Sequence, residues 1–401
     1  MTPARGRSGW CILRGCRVTR VSASQRIALV RQRYNPFGGA ERFIERALAS
    51  LERLGAEVTL IAREWRDAGG RRFLRVNPPY LGNLWRDAGF ARAARAVWTR
   101  ERFDLVQSHE RIPGCDVYRA GDGVHRQWLE YRLECASRLE RSKVRANPYH
   151  RYVCKVERSL FEHARLRAVI CNSDMVRADV VRHFRIAEAK LHVIYNGVDL
   201  EHFHPRHRAT LRAQARTAYG CTDADLLFAF VGSGFERKGL ACAIDALARS
   251  SDARLRLAVA GRDRDAARFA AQARAAGVAD RVRLLGGVED VRPLYAAADC
   301  FILPTLYDPF PNAALEALAM GLPVIVSRRC GAAELVRAGE NGWTCEAHDV
   351  AALTALLGAA AAVVRDEKMR AAARASAEGF GIDDMARKLT ALYATLGSGS
   401  A

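Results

Sequence analysis

Tyr307-Asp-Pro-Phe-Pro-Asn-Ala-Ala-Leu-Glu-Ala-Leu-Ala-Met-Gly-Leu-Pro-Val-Ile-Val-Ser327 decides how this 401-residue chain is read. It sets two carboxylates, Asp308 and Glu316, eight positions apart across a loop and a helix start. The apolar run Cys300–Leu303 before it has strand composition, and Pro304–Pro311 is rich in turn formers. Asn312 is a favourable N-cap for a helix over Ala313–Met320, which Gly321 ends before a second apolar strand, Pro323–Ser327. The backbone N–H groups of the first helical turn, at Asn312, Ala313 and Ala314, form an anion site suited to a diphosphate. An ionised carboxylate beside that anion cannot favour the phosphate. Its chemical use there is to accept hydrogen bonds from neutral hydroxyls, and a ribose offers two. The stretch therefore reads as a nucleotide-sugar site.

Outward from this segment, apolar strands alternate with helical patterns, which predicts parallel α/β sheets covered by helices. In the first half the predicted strands are Ile27–Val30, Val58–Ala62, Leu105–Ser108, Ala168–Asn172 and His192–Ile194. Helices are predicted at Ala40–Leu54, Leu84–Trp98 and within a basic, aromatic-rich stretch, Gln127–Ala164. In the second half the strands are Leu226–Val231, Leu255–Ala260, Val282–Leu285, Cys300–Leu303 and Val324–Val326. Their helices are Leu240–Ala248, Asp265–Ala276, Val291–Ala296 and Ala332–Arg337, besides the one already given. Two successive doubly wound, Rossmann-like domains follow, with expected bounds of 26–195 and 196–382. The turn-rich string Tyr195-Asn-Gly-Val-Asp-Leu-Glu-His-Phe-His-Pro205 marks the boundary, and residues 383–401 read as a terminal helix. Residues 1–25 form a basic extension without the apolar core of a secretory signal. They read as a disordered arm, an interfacial anchor, or a start codon placed too early.

Half of the residues are hydrophobic, enough for a large core. The formal charge of +19 is lopsided: residues 1–200 hold 38 Lys plus Arg against 21 Asp plus Glu, and the rest nearly balances. Such a basic half predicts an anionic partner: a lipid surface, a phosphorylated acceptor or nucleic acid. No helix-turn-helix, zinc or RNA-binding signature supports the last. The eleven cysteines include no C-x-x-C pair, in keeping with a reducing compartment. The longest apolar run, Ala351–Val364, is too short to span a bilayer, so membrane contact is expected to be peripheral.

Three further constellations carry chemistry. Gly38-Gly39, between the first strand and first helix, lets backbone approach a ligand at a helix N-terminus. Arg237-Lys238, before Gly239 at the second domain's first turn, places cations at a helix start, where like charge opposes the dipole unless an anion binds. The segment from His109 through Glu110 and Asp122 to His125 follows a parallel strand, on the side where such sheets bind ligands. The histidines His202, His204 and His207 flank a Pro-Arg turn without carboxylates at ligand spacing, so no metal constellation is read there.

The Asp308–Ser327 segment resembles the donor-site motif of the retaining glycosyltransferases of family four. These adopt the two-domain GT-B fold, with a terminal helix crossing back to the first domain. Their pattern is Glu, seven residues, Glu, a small-residue helix and a Gly-x-Pro-Val strand. Glu316 matches the second glutamate, while Asp308 stands at the first, one methylene shorter, where the family approaches the donor sugar. The turn Gly38-Gly39-Ala-Glu-Arg42 is similar to the family's phosphate-contacting turn, and the string at Tyr195 is similar to its interdomain signature. Many members carry arginine where Ser233 stands here; Arg237 is the substitute that a Gly-Ser-x-Phe-x-Arg-Lys-Gly string in lipopolysaccharide core enzymes suggests. Ile112-Pro-Gly-Cys-Asp-Val-Tyr118 with Asp122 resembles the acceptor-side loop of heptose-modifying glucosyltransferases of that core.

The resemblance implies a retaining, metal-independent hexosyltransferase using a UDP-sugar as donor substrate and no cofactor. Expected donor-binding residues are Gly38, Gly39, Arg237, Lys238, Asp308, Asn312, Ala313, Ala314 and Glu316. Asp122 is the expected catalytic carboxylate, with His109 and His125 as alternatives. The expected sugar is glucose, and the expected acceptor is lipopolysaccharide core, or another surface-polysaccharide or lipid-linked glycan, at the anionic inner face of the bacterial cytoplasmic membrane. A sugar-nucleotide epimerase on the same architecture is the remote alternative.

Overall fold

The computed structural model describes residues 25–33, 44–45, 48, 51–52, 55–65 and 70–397. The basic extension up to residue 24, and Gly38 with Gly39, lie outside the described residues.

Two parallel sheets organise the chain. The first comprises β1 (Arg26–Val30), β2 (Glu57–Ala62), β3 (Arg72–Arg75), β4 (Leu105–Ser108), β5 (Val117–Arg119), β6 (Ala168–Cys171) and β7 (Leu191–Val193), in the order β3-β2-β1-β4-β5-β6-β7. The second comprises β8 (Leu226–Val231), β9 (Leu255–Ala260), β10 (Val282–Gly286), β11 (Cys300–Leu303), β12 (Val324–Ser327) and β13 (Gly342–Cys345), in the order β10-β9-β8-β11-β12-β13. Both sheets reverse winding next to their first strand, between β1 and β4 and between β8 and β11. Ligands of such sheets bind outside the carboxyl ends of the strands at this switch point.

The strands form where the reading placed apolar runs, because helices on both faces bury them completely. β4, β6, β11 and β12 are buried at every position. Three strands went unforeseen. β5 has three residues and β13 includes only Trp343 and Cys345 as apolar residues, so neither has a run long enough to stand out; β3 begins and ends on arginine. The segment after His109 is thus not one loop: β5 interrupts it, so His109 leaves β4 while Asp122 leaves β5.

The stretch Gln127–Ala164 divides into helices His125–Cys135, Arg138–Ala146 and Pro148–Phe161. Ser137 and Glu140 form a reciprocal capping box at the second, and Asn147 caps the third with Pro148 in its first turn. The Ala332–Arg337 helix is instead a 3-10 turn, Gly331–Leu335, and a helix over His207–Ala218 was not foreseen.

One apolar core fills the second sheet's surroundings, and two lie on either face of the first. The last helix, Ile382–Gly397, joins the latter: Met385, Leu389, Leu392 and Tyr393 pack with Ile27, Leu29 and Val58. The two segments that pass between the sheets pair as backbone, Val198 N donating to Phe380 O (2.9 Å) and Ile382 N to Val198 O (3.1 Å). Gly197 is required there, since a Cβ would stand 2.7 Å from Ile382 Cα.

Candidate active site

The loop after β11 turns into the helix Asn312–Ala319 at the second switch point. Asn312 is its first helical residue and not its N-cap; the extended residue before it is Pro311, whose carbonyl accepts from Ala314 N (3.1 Å). Freed from capping, the Asn312 side chain accepts from Asn196 Nδ2 (2.7 Å), which also reaches Phe310 O (3.1 Å). Asn196 Oδ1 in turn accepts from Arg119 at the end of β5, so a polar string ties the first sheet to the donor-helix start.

Asp308 is buried, with Lys238 Nζ at 2.7 Å and Arg237 Nη1 at 3.4 Å. Burial pushes its carboxyl up, but Lys238 and Arg237 outweigh burial and hold it below the ordinary carboxylate value. Arg237 also donates to Tyr307 O (2.8 Å). Asp308 and the Arg237-Lys238 pair, expected around one donor, are in direct contact and form one cluster. Gly232, with φ of 146°, leaves room for the lysine stem, since a Cβ would stand 2.6 Å from Lys238 Cε. Glu316, one turn into the helix, is buried with its Oε2 3.2 Å from the Tyr295 hydroxyl.

Beside this cluster the exits of β8, β9 and β10 enclose a cleft of about 340 Å³, lined by Gly232, Ser233, Gly261, Arg262, Gly287 and Val288 among others. That volume suits a nucleoside. Its signal in the sequence is a glycine after each of the three strands. Gly261 lies so close to the neighbouring turn that a Cβ would stand 2.1 Å from Gly232 O.

On the opposite side, His109 is buried, with Nε2 2.9 Å from Gln107 Nε2. Tyr393 of the last helix donates to Gln107 Oε1, which leaves the amide nitrogen to donate to the imidazole. Burial, then Arg119 and Arg31, push His109 well below its ordinary value, so it is neutral at pH 7. His125 packs against Trp128, Tyr149 and His150, its Nε2 3.2 Å from His150 Nδ1. Burial, then Arg111 and His150, lower it to about 3, so it too is neutral. Asp122 is largely exposed and stands 3.9 Å from Arg111. Its neighbour Gly123 touches the donor loop, for a Cβ there would stand 2.4 Å from the Tyr307 hydroxyl.

Tyr307 crosses between the sheets. Its hydroxyl accepts from Val124 N (3.0 Å) and donates to Asp179 Oδ2 (2.8 Å). Glu334 makes a second crossing contact, accepting from Asp174 N (3.1 Å), Met175 N (2.7 Å) and the Tyr195 hydroxyl (2.8 Å), a carboxylate at the N-terminus of helix Asp174–His183. Arg329 makes a third, pairing with Glu134 (2.7 Å) over the Tyr131 ring. Nothing in the local sequence around Arg329 or Glu334 announced these partners.

Burial raises the Asp179 carboxyl from 3.8 to about 6 against the opposing bond from Tyr307. A raised carboxyl stabilises the fold in full below about pH 4 and loses that contribution as pH rises through about 6. Asp179→Asn keeps an acceptor for Tyr307 and removes the titration. The melting temperature of this variant is therefore expected to gain on the unchanged protein between pH 5 and 7. Parallel pH profiles in thermal unfolding would refute the assignment.

Two Rossmann-like sheets, a nucleoside-sized cleft and a cation–carboxylate cluster at a helix start define a GT-B glycosyltransferase. Residues 37–202 match the "Glycosyltransferase Family 4" description and residues 225–362 match "Glycosyl transferases group 1". The chain belongs to this glycosyltransferase family. It is 26% identical over 316 residues to the lipopolysaccharide glucosyltransferase WaaG of Escherichia coli K12, covering 77% of this chain and 82% of the relative. It is 30% identical over 330 residues to a D-inositol 3-phosphate glycosyltransferase of Streptomyces scabiei, covering 76% of this chain and 71% of the relative. The crystal structure of WaaG superposes with a TM-score of 0.80 at 24% identity, covering 91% of this chain and 99% of that one. Anabaena HepE in complex with UDP-glucose superposes with a TM-score of 0.68 at 20% identity, covering 92% and 99%.

Proposed function

We propose that this enzyme moves a hexose, preferentially glucose, from a UDP-sugar to a lipopolysaccharide core with retention of anomeric configuration. The observation that carries the donor side is the Lys238–Asp308–Arg237 cluster beside the nucleoside-sized cleft and Glu316. In this reading Glu316 accepts hydrogen bonds from ribose hydroxyls. Lys238, Arg237 and the first turn at Asn312 and Ala313 take the diphosphate, with Gly38 and Gly39 closing from the first domain. Ala314 belongs to that turn but spends its N–H on Pro311. Asp308 orients Lys238 and faces the sugar. Residues 26–195 hold the acceptor and 196–382 the donor.

The diphosphate leaves from the face the acceptor enters and itself takes the acceptor proton; fixed cations aimed at its developing charge supply most of the acceleration. Two side-chain cations at the leaving group make the reaction independent of divalent metal. Asp122, beside the interdomain contact at Gly123, orients the acceptor or supports positive charge at the reacting carbon, as in glycoside chemistry. His109 and His125, both neutral, accept or donate single hydrogen bonds.

The lipopolysaccharide acceptor rests on similarity to WaaG and on the basic first half of the chain. Among the described residues no helix is long and apolar enough to cross a membrane. The exposed Leu81 and Trp85 on that same half support peripheral attachment to an anionic inner-membrane face. The similarity to the inositol-phosphate enzyme favours a second reading, a phosphorylated polyol acceptor. Purified protein given UDP-glucose with truncated lipopolysaccharide or inositol 3-phosphate, with and without EDTA, is expected to glucosylate the lipopolysaccharide in both conditions. Transfer to the inositol phosphate alone would replace the acceptor, and abolition by EDTA would remove the metal-free mechanism.

A further inference from the structure

Asp299 is fully buried immediately before β11, at the amino-terminal end of the second sheet's strands and opposite the donor cleft. Its Oδ2 is satisfied by Leu227 N (3.0 Å) and Arg216 Nη1 (3.2 Å). Four more guanidiniums converge on Oδ1: Arg212 at 2.7 Å, Arg208 at 3.4 Å, Arg365 at 3.5 Å and Arg370 at 3.6 Å. Five cations thus face one carboxylate, and one oxygen with about two lone-pair directions cannot serve four of them.

The protein makes use of three of the five. Arg208, Arg212 and Arg216 stand one turn apart on helix His207–Ala218 and donate to the carbonyls of Ala296–Ala298, at the C-terminus of helix Arg292–Ala297. Cations at that end complement the helix dipole. Arg365 and Arg370 have no such employment for most of their donors. Arg365 Nη2 donates to Asp225 O (2.6 Å), but its Nε stops short of Asp299. Arg370 is more than nine-tenths buried, its Nη2 also stops short, and its Nε has no hydrogen-bond partner.

Neighbouring acids offset the surplus only in part, Glu367 attracting Arg370. Asp225 is engaged by Arg256 and Thr222, and Glu367 is exposed on the first turn of helix Glu367–Glu378. Burial, then Arg370 and Arg212, pull Arg208 down to about 9, the response of a cation crowded by others. Solvent reaches the cluster, since the Arg365 side chain is 44% exposed and that of Arg208 21%.

We propose that the outer face of this cluster, presented by Arg365 and Arg208 with Arg370 behind them, is a binding site for a phosphate-class oxyanion, separate from the donor cleft. Guanidinium donors that Asp299 leaves unsatisfied suit the tetrahedral oxygens of such an anion. The four residues of β11 put about 13 Å between this end of the sheet and the donor loop. The site nevertheless communicates with it. One turn beyond Arg370, Arg374 donates to Leu200 O, Phe203 O and Ala319 O, the last being the end of the donor helix. An anion seated on Arg370 therefore braces the helix that closes the donor helix from behind.

Equilibrium dialysis of labelled inorganic phosphate against the full chain, with UDP in excess to occupy the donor cleft, tests this directly. Glucose 1-phosphate in a parallel arm separates the free ion from a phosphate monoester as the preferred form. About one anion per chain is expected, with roughly tenfold weaker binding after R365Q and a greater loss after R365Q/R370Q, each substitution removing a charge-assisted contact. R365Q changes a half-exposed side chain and guards against an unfolded double variant. Undiminished binding by R365Q, or no phosphate bound by the UDP-loaded wild-type chain, would overturn the site. Neither result bears on the transfer reaction, which is assayed separately.

Discussion

Glu316→Gln is expected to fold, to keep its place beside Tyr295 and to lose sugar transfer. The carboxylate is buried one turn into the donor helix, beside the Tyr295 hydroxyl. The amide is nearly isosteric but replaces one acceptor oxygen with a donor, which cannot satisfy two hydroxyl donors at once. Each charge-assisted bond lost costs about 1.5–3 kcal/mol, so two predict a fall in kcat/KM on the order of 10²- to 10⁴-fold. The measurement is steady-state transfer from UDP-glucose together with calorimetric UDP affinity. Both should fall while the melting temperature stays within a few degrees. Full activity in a folded Glu316→Gln protein would remove this residue from the donor site.

Gly331→Ala should be the most damaging single-methyl change. A Cβ at this position would lie 1.8 Å from Pro309 O and 2.8 Å from Ser173 Cβ, one contact in the donor loop and one in the first domain. The Pro309 contact is backbone, held by Asp308 N to Arg329 O (3.0 Å) and Gly331 N to Asp308 O (2.9 Å), so it cannot rotate away. Relief requires moving the loop that carries Tyr307 and Asp308. The expected cost is about 2–3 kcal/mol of stability, with UDP affinity and transfer falling together. Urea unfolding and calorimetry check it against Gly358→Ala, a helical glycine with no atom within 4 Å of its added methyl. That control should be neutral or slightly stabilising, by up to about 1 kcal/mol. Equal behaviour of the two variants would contradict the wedge.

Much of the second domain was legible because its buried strands are long apolar runs with glycine at their exits. Leu226–Val231 and Leu255–Ala260 emerge with the bounds that the pattern predicts. Legibility failed where an element's signal is not hydrophobic. β5 is recognisable only by the strands on either side of it, and the 3-10 turn at Gly331 is held in place by the donor loop above it. Asn312 shows the same limit at one residue: intrinsic preference makes it a cap, but Asn196 offers a partner that local chemistry could not foresee.

The sequence by itself determined the class of chemistry, since acidic, basic and glycine residues at these spacings suit a nucleotide sugar wherever strand and helix meet. Which of those residues meet was decided by the tertiary structure. It joined Lys238 and Arg237 to Asp308 across 70 and 71 residues and turned His125 toward Trp128 and His150. It also set Tyr307 against Gly123 and Asp179. The physical reason is range. Propensity and capping act over a few residues, whereas a buried charge or hydroxyl must find its partner wherever the fold brings one within hydrogen-bond reach.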